Sequence, residues 1–214
     1  MLHKRNQKEK WILWVVCCLG IIFTFMEVGN MKGRLLQQGI ANEIIRFHVL
    51  ADSDKEEDQQ IKLKVKDEVV CFMQEKLTAA KDKEQAREII KDNLEEIESL
   101  AFQTLKKEGV KEQVRAYLTE KQFPVKSYGE FIFPEGIYET LQVEIGKAEG
   151  KNWWCVMFPS LCMIDESYTV VPDSAKEKLQ ENLTKEEYES LQEEDKIEYK
   201  WKIAEWWKGI DYFF

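Results

Sequence analysis

Histidine is scarce in this chain. Its 214 residues hold two, His3 in the N-terminal tip and His48 in the body. Nucleophilic catalysis needs a base beside the nucleophile, and a Cys155–His48 pair is the one hydrolase constellation available. No local signature accompanies it. There is no C-x-x-C and no H-E-x-x-H, which removes the common zinc arrangements. Asp52-Ser53-Asp54 opens like a calcium loop, but Glu57 stands where that loop needs glycine and Leu63 where it needs glutamate. Glycine is thin as well, and Gly146 to Gly150 is too sparse to cradle a phosphate. Positive charge is in deficit, with 31 Lys and Arg against 40 Asp and Glu, so the surface repels phosphate backbones and nucleic-acid binding is excluded. The many carboxylate pairs lie on charged helix faces, where solvation accounts for them. The expectation is a protein without catalytic residues, metal, cofactor or small-molecule substrate.

One stretch lacks charge altogether. Residues 11–26, from Trp11 to Met26, are an unbroken apolar run behind a tip that carries Lys4, Arg5, Lys8 and Lys10 against Glu9. A membrane span takes about 20 residues and a signal-peptide core about 7–15, so this run falls between the two. The basic flank stays in the cytoplasm and the body crosses. No small-x-small site follows Met26, which favours a retained anchor over a cleaved signal. The remaining alternative is the N-terminal helix of a soluble core.

The rest divides into a tether over 28–42, an α+β domain over 43–172, and an acidic, aromatic extension over 173–214. In the domain, Ile44–Ala51 alternates as a strand, with Ile45, Phe47 and Val49 on one face and Arg46 and His48 on the other. Ser53 and Glu56 have capping-box spacing for a helix whose stripe is Ile61, Val65, Val69 and Phe72. A second helix opens at Asp82 with Gln85, runs through Ile90, Ile97 and Ala101, and stops at Gly109. Three strands follow, near 114–119, over Phe123–Phe133 and over Gly136–Ile145, the last two parted by the turn signal Pro134-Glu135-Gly136. This order predicts one antiparallel or mixed sheet with two long helices on one face. In the extension, two short helices fit 173–196, the second capped by Thr184 with Glu187. Ile197–Ile203 alternates like a strand, and an aromatic end follows.

Five cysteines are present, and Cys155 and Cys162 are the pair in loop-like surroundings of the exported body. Pro159 bars a straight helix or a central strand between them. A turn at Pro159-Ser160 brings them together for a disulfide, while two buried free thiols are the other reading. Trp153 and Trp154 fill the core or form a contact hot spot.

Arg46-Phe47-His48-Val49-Leu50-Ala51-Asp52-Ser53-Asp54, with Asp58-Gln59 and Lys64, resembles the first signature of stage II sporulation protein R. Phe123-Pro124, Tyr128-Gly129, Pro134, Gly136, Tyr138, Ile145-Gly146 and Asn152-Trp153-Trp154-Cys155 to Cys162 resemble its second. Asp52 stands where the family usually has Asn, Lys55 where Ser is common, Glu135 where Ala is common and Ser160 where a second Pro is usual. The resemblance implies export from the forespore into the intermembrane space. It also implies activation there of a membrane-embedded aspartic protease of the mother cell, and hence cleavage of a sigma-factor precursor. The candidates for an exposed contact on this basis are Arg46, His48, Tyr128, Trp153 and Trp154, and of the two tryptophans one is expected to go to the core and the other to the contact. A membrane-anchored envelope-assembly module is the alternative.

Overall fold

The apolar run lies within one long helix, α1 (Gln7–Glu43), in a computed structural model that describes residues 7–162 and 171–192. Its apolar stretch is exposed, so the run presents its side chains outward along its length. Residues 28–42 are the continuation of this helix and not an irregular tether. Gly29, Gly33 and Gly39 each cost about 1 kcal/mol relative to alanine, and the domain holds the last turns in place. Ile40 is buried, Gln37 Nε2 donates to Ile137 O at 3.2 Å, and Lys83 Nζ donates to Ala41 O at 2.7 Å. Gly39 lies so close to Glu187 that a Cβ there would collide with it.

Strand β1 (Ile45–Leu50) leads to α2 (Glu56–Leu77), α3 (Lys83–Asp92) and α4 (Leu94–Lys107). Ser53 does not cap α2. Its hydroxyl accepts from Lys55 N and pairs with Asp58, and the helix starts at Glu56 with three acidic residues facing its unpaired N–H groups. Asp82 does cap α3, accepting from Gln85 N at 2.8 Å. The second long helix is two helices, broken at Asn93, whose side-chain amide donates to Ile89 O and offers the backbone a local alternative. Gly109, at φ +77, ends α4, with its own N–H on Lys106 O and Val110 N–H on Leu105 O.

Strands β2 (Val114–Phe123), β5 (Gly136–Ile145) and β6 (Asn152–Phe158) join β1 in a mixed sheet of order β2-β5-β1-β6. β1 runs parallel to β5 and antiparallel to β6, and β2 is antiparallel to β5. The single strand expected over Phe123–Phe133 is instead a hairpin, β3 (Lys126–Tyr128) and β4 (Phe131–Phe133), turning at Gly129 with φ +57. Proline at 124 and glycine at 129 interrupt what a strand would need.

Helices α2, α3 and α4 cover one face of the sheet, where Phe47, Val49, Leu141, Val143 and Cys155 meet Val65, Val69, Met73, Ile90, Ile97 and Leu105. The α+β class, the mixed sheet and the helix layer match the expectation. The second face is not free. The β3–β4 hairpin covers one end of it, backed by α6 (Lys185–Gln192) through Phe131 on Tyr188 at 5.4 Å. α6 carries the expected reciprocal cap, Thr184 N to Glu187 Oε2 and Glu187 N to Thr184 Oγ1. α5 (Asp173–Asn182) buries Ala175 and Leu179, and Lys178 Nζ reaches the carbonyls that end α2, Leu77 O and Thr78 O, and Ala80 O beyond them. The strand expected over 197–203, the aromatic end and most of the basic tip lie outside the described residues.

Candidate functional site

Strand alternation sends Arg46 and His48 to the second sheet face, and the register places them beside Thr140 and Gln142 of β5 and Val156 and Trp154 of β6. Arg46 is 0% exposed. Its guanidinium lies 4.4 Å from the Phe123 ring centre, 5.2 Å from Tyr138, 5.4 Å from Phe133 and 5.7 Å from Tyr128. One nitrogen donates to Tyr128 Oη at 3.2 Å, and Tyr128 Oη donates to Trp154 O at 3.0 Å. A cation in an aromatic box is held by the ring quadrupoles, each contact contributing about 0.5–2 kcal/mol according to desolvation. Arg46, His48 and Tyr128 are therefore buried, contrary to the expectation that they are exposed contacts. The hairpin supplies Tyr128 and Phe133, and β2 and β5 supply Phe123 and Tyr138, so both faces of β1 are covered at this end.

Toward the other end of the same face the described residues leave Trp154 half-buried and Asn152 exposed. The His48 ring stacks on Trp154 at 3.7 Å with 8° between planes, and its Nε2 lies 2.7 Å from Asn152 Oδ1. Phe123 meets Trp154 edge-on at 4.5 Å. Burial pushes the His48 pKa below its ordinary 6.5, against the hydrogen bonds to Asn152 and Gln142. Beside it, Glu144 accepts from Tyr117 Oη at 2.7 Å and Gln142 Nε2 at 2.6 Å, and pairs with Arg115 at 2.7 Å. Burial works to raise the Glu144 pKa, and these donors outweigh it, holding the carboxyl low. Burial and the Glu144 contact push Tyr117 up to about 12. Gln142, Glu144, Tyr117 and Arg115 were not singled out from the sequence. The signal that was available is the polar alternation of β5, Gln142 and Glu144 against Leu141 and Val143.

Trp153 points to the helix face, edge-on to Phe47 at 6.1 Å and with Lys66 Nζ 4.9 Å from its ring centre. The two tryptophans do face opposite ways, but both are half-buried, so neither is the fully buried partner expected of the pair. Cys155 and Cys162 are joined in a disulfide with Cα atoms 5.1 Å apart. Cys155 is opposite Phe47 in register and faces away from His48, so the thiol–histidine pair is not formed.

The acidic signature after β1 is a clamp. Asp52 Oδ1 accepts from Lys147 N at 2.8 Å and Asp54 Oδ1 from Lys151 N at 2.7 Å, tying the β1–α2 loop to the β5–β6 loop. Buried Lys62 adds Nζ to Lys151 O at 3.0 Å. Gly150 packs on the Ser53 carbonyl, and Gly146, at φ +59, packs on Asp52, where a side chain would collide.

The family model described as Stage II sporulation protein R matches residues 41–168. That span takes in the arginine box, the loop clamp, the stacked His48–Trp154 pair and the disulfide. The chain belongs to the stage II sporulation protein R family. A curated relative, Stage II sporulation protein R of Bacillus subtilis (strain 168), is 35% identical over 186 residues, covering 78% of this chain and 81% of the relative. No solved structure matches. The signature residues of the second run lie at the end of β2, in the β3–β4 hairpin, and on β5, β6 and their connecting loop, next to the arginine and histidine of the first.

Proposed function

We propose that this stage II sporulation protein R family member is an exported signal between the two cells of a sporangium. It leaves the forespore by the N-terminal apolar helix and reaches the space between the two membranes. There it activates a membrane-embedded aspartic protease of the mother cell, which cleaves the sigma-factor precursor. The observation that carries this reading is the family match over residues 41–168, and the apolar helix ahead of that span supports it. The protein acts as a ligand in this scheme, so it must bind the protease's active arrangement more tightly than the resting one. Trp154 and Asn152, half-buried and exposed at the far end of the second sheet face among the described residues, are the proposed contact. His48 holds the Trp154 ring flat from behind. The domain of 43–172 is the signalling unit in this reading. Deleting the gene in the sporulating host and blotting for the precursor tests the role. Uncleaved precursor is the expected result, and normal processing in the deletion strain rejects it.

A further inference from the structure

Strand β2 is an edge of the sheet and pairs with β5 alone among the described residues. In an antiparallel ladder, successive residues aim their N–H and C=O alternately toward and away from the neighbouring strand. Two bonds fix the phase. Gln113 O faces β5, accepting from Gly146 N at 2.8 Å, and Ala116 N faces outward, donating to Glu98 Oε1 of α4 at 2.7 Å. The outward set is therefore Val114, Ala116, Leu118, Glu120 and Gln122. Glu98 closes the edge at Ala116. Past that point the outward N–H and C=O groups of Leu118, Glu120 and Gln122 have no partner among the described residues. Glu120, Lys121 and Gln122 are exposed there.

A row of unpaired backbone donors and acceptors on an open edge matches one ligand chemistry above others, a second extended backbone. The side chains refine the match. Lys121 projects on the same face as Tyr117, His48 and Trp154, and it forms no ion pair with another described residue. A carboxylate opposite it on an added strand would complete a cross-strand pair. Tyr117, Gln142, His48 and Trp154 lie in one row across the sheet, so a partner strand at β2 continues the face that carries Trp154.

We propose that the β2 edge over Leu118–Gln122 takes an extended, carboxylate-bearing segment of the protein partner as a fifth strand. This rests on the signalling-ligand reading above. Glu120→Pro deletes an outward N–H and leaves the bonds to β5 intact, because proline is tolerated where an edge residue faces away from the sheet. Glu120→Gln removes the charge and keeps the N–H. In the full-length protein in the sporulating host, Glu120→Pro is expected to melt like the parent and to lower precursor processing about tenfold or more, while Glu120→Gln processes normally. If Glu120→Pro lowers the melting temperature, Gln122→Pro provides the same test one outward position along. Normal processing in a stably folded proline variant overturns the proposal, as does equal loss in Glu120→Gln. A parent dimer that Glu120→Pro converts to monomer overturns it too, since the occupant is then a second copy. Deletion separates the two levels. Processing that survives deletion rejects the signalling role, whereas processing lost on deletion and kept in the proline variants rejects the edge alone.

Discussion

Arg46 brings a permanent charge into a box of four rings, and that choice sets what the residue does. Burial pulls its pKa below the ordinary value, with Tyr128 and Tyr138 acting in the other direction. Arg46→Ala is expected to lose about 3–5 kcal/mol of stability in urea titration, the range for emptying a large buried side chain. Arg46→Met, which fills the box without the charge, should lose much less, as buried ion replacements often do. An exposed contact would shift stability by no more than about 0.5 kcal/mol in either variant. His48 gives a pH dependence of known sign. Its folded pKa lies below 6.5, so the unfolded chain binds more protons in the window between the two values. Stability from His48 is complete above the unfolded pKa and falls as pH drops through that window. Lys121 opposes the protonated ring and Glu144 favours it, while Trp154 and Asn152 are its neutral neighbours. Melting temperatures measured on both sides of about pH 6.5 should fall on the acid side in the parent, and less in His48→Gln. Strand alternation correctly parted Arg46 and His48 from Phe47 and Val49. It was silent on exposure, because period-2 patterning describes two faces and not what lies over each. The cover comes from a hairpin about 80 residues away in sequence, a non-local fact.

Between elements, the short loop from β6 to Cys162 is closed covalently, and closure acts chiefly on the unfolded chain. The double variant Cys155→Ala/Cys162→Ala, or the parent in reductant, should lose about 2–3 kcal/mol, read as a lower urea midpoint. A parent whose midpoint ignores reductant would show that packing of Phe158, Leu161 and Val156 holds the loop unaided. The second pin is ionic. Arg87 of α3 grips Glu139 of β5 with two nitrogens, at 2.6 and 2.8 Å, and Lys83 joins at 3.2 Å. Burial works to raise the Glu139 pKa, and the two cations hold it low instead. Glu139→Gln should therefore destabilise by about 1–3 kcal/mol, by leaving a partly buried cation pair short of its acceptor. Most elements were legible locally. The caps at Asp82 and Thr184, the stop at Gly109 and the strand over 136–145 all rest on short-range chemistry. The misreadings were of the same physical kind. Ser53 spends its hydroxyl on Asp58, Asn93 breaks a continuous apolar stripe, and Phe123–Phe133 folds back on Gly129, each a local competition that hydrophobic period does not resolve.

At the scale of the molecule, one helix is long and apolar enough to cross a membrane, and it continues into the domain. α1 spans 37 residues, and at 1.5 Å per residue it is about 55 Å long, against about 30 Å for a bilayer's hydrocarbon core. The excess extends into the domain, where Gln37, Ile40 and Ala41 are held by β5, the buried core and Lys83. A flexible tether would let the domain swing relative to the apolar segment, whereas a helix that enters the core joins the two rigidly. The glycines at 29, 33 and 39 read as tether because glycine is common in linkers, yet in a helix each is a modest penalty that the docked C-terminal turns overcome. Two truncations separate these pictures. A chain beginning at residue 30 retains every docked residue of α1 and should match the parent's urea midpoint. A chain beginning at residue 43 loses Ile40 with its neighbours and should be about 2–4 kcal/mol less stable, within the range for deleting a buried aliphatic side chain. Equal stability of the two would mean that α1 contributes nothing to the fold and that the domain is free to turn on α1. A fusion of residues 1–42 to a reporter active only outside the cytoplasm tests the proposed export directly. Activity of that reporter is expected, and a matching fusion active only inside the cytoplasm should be silent.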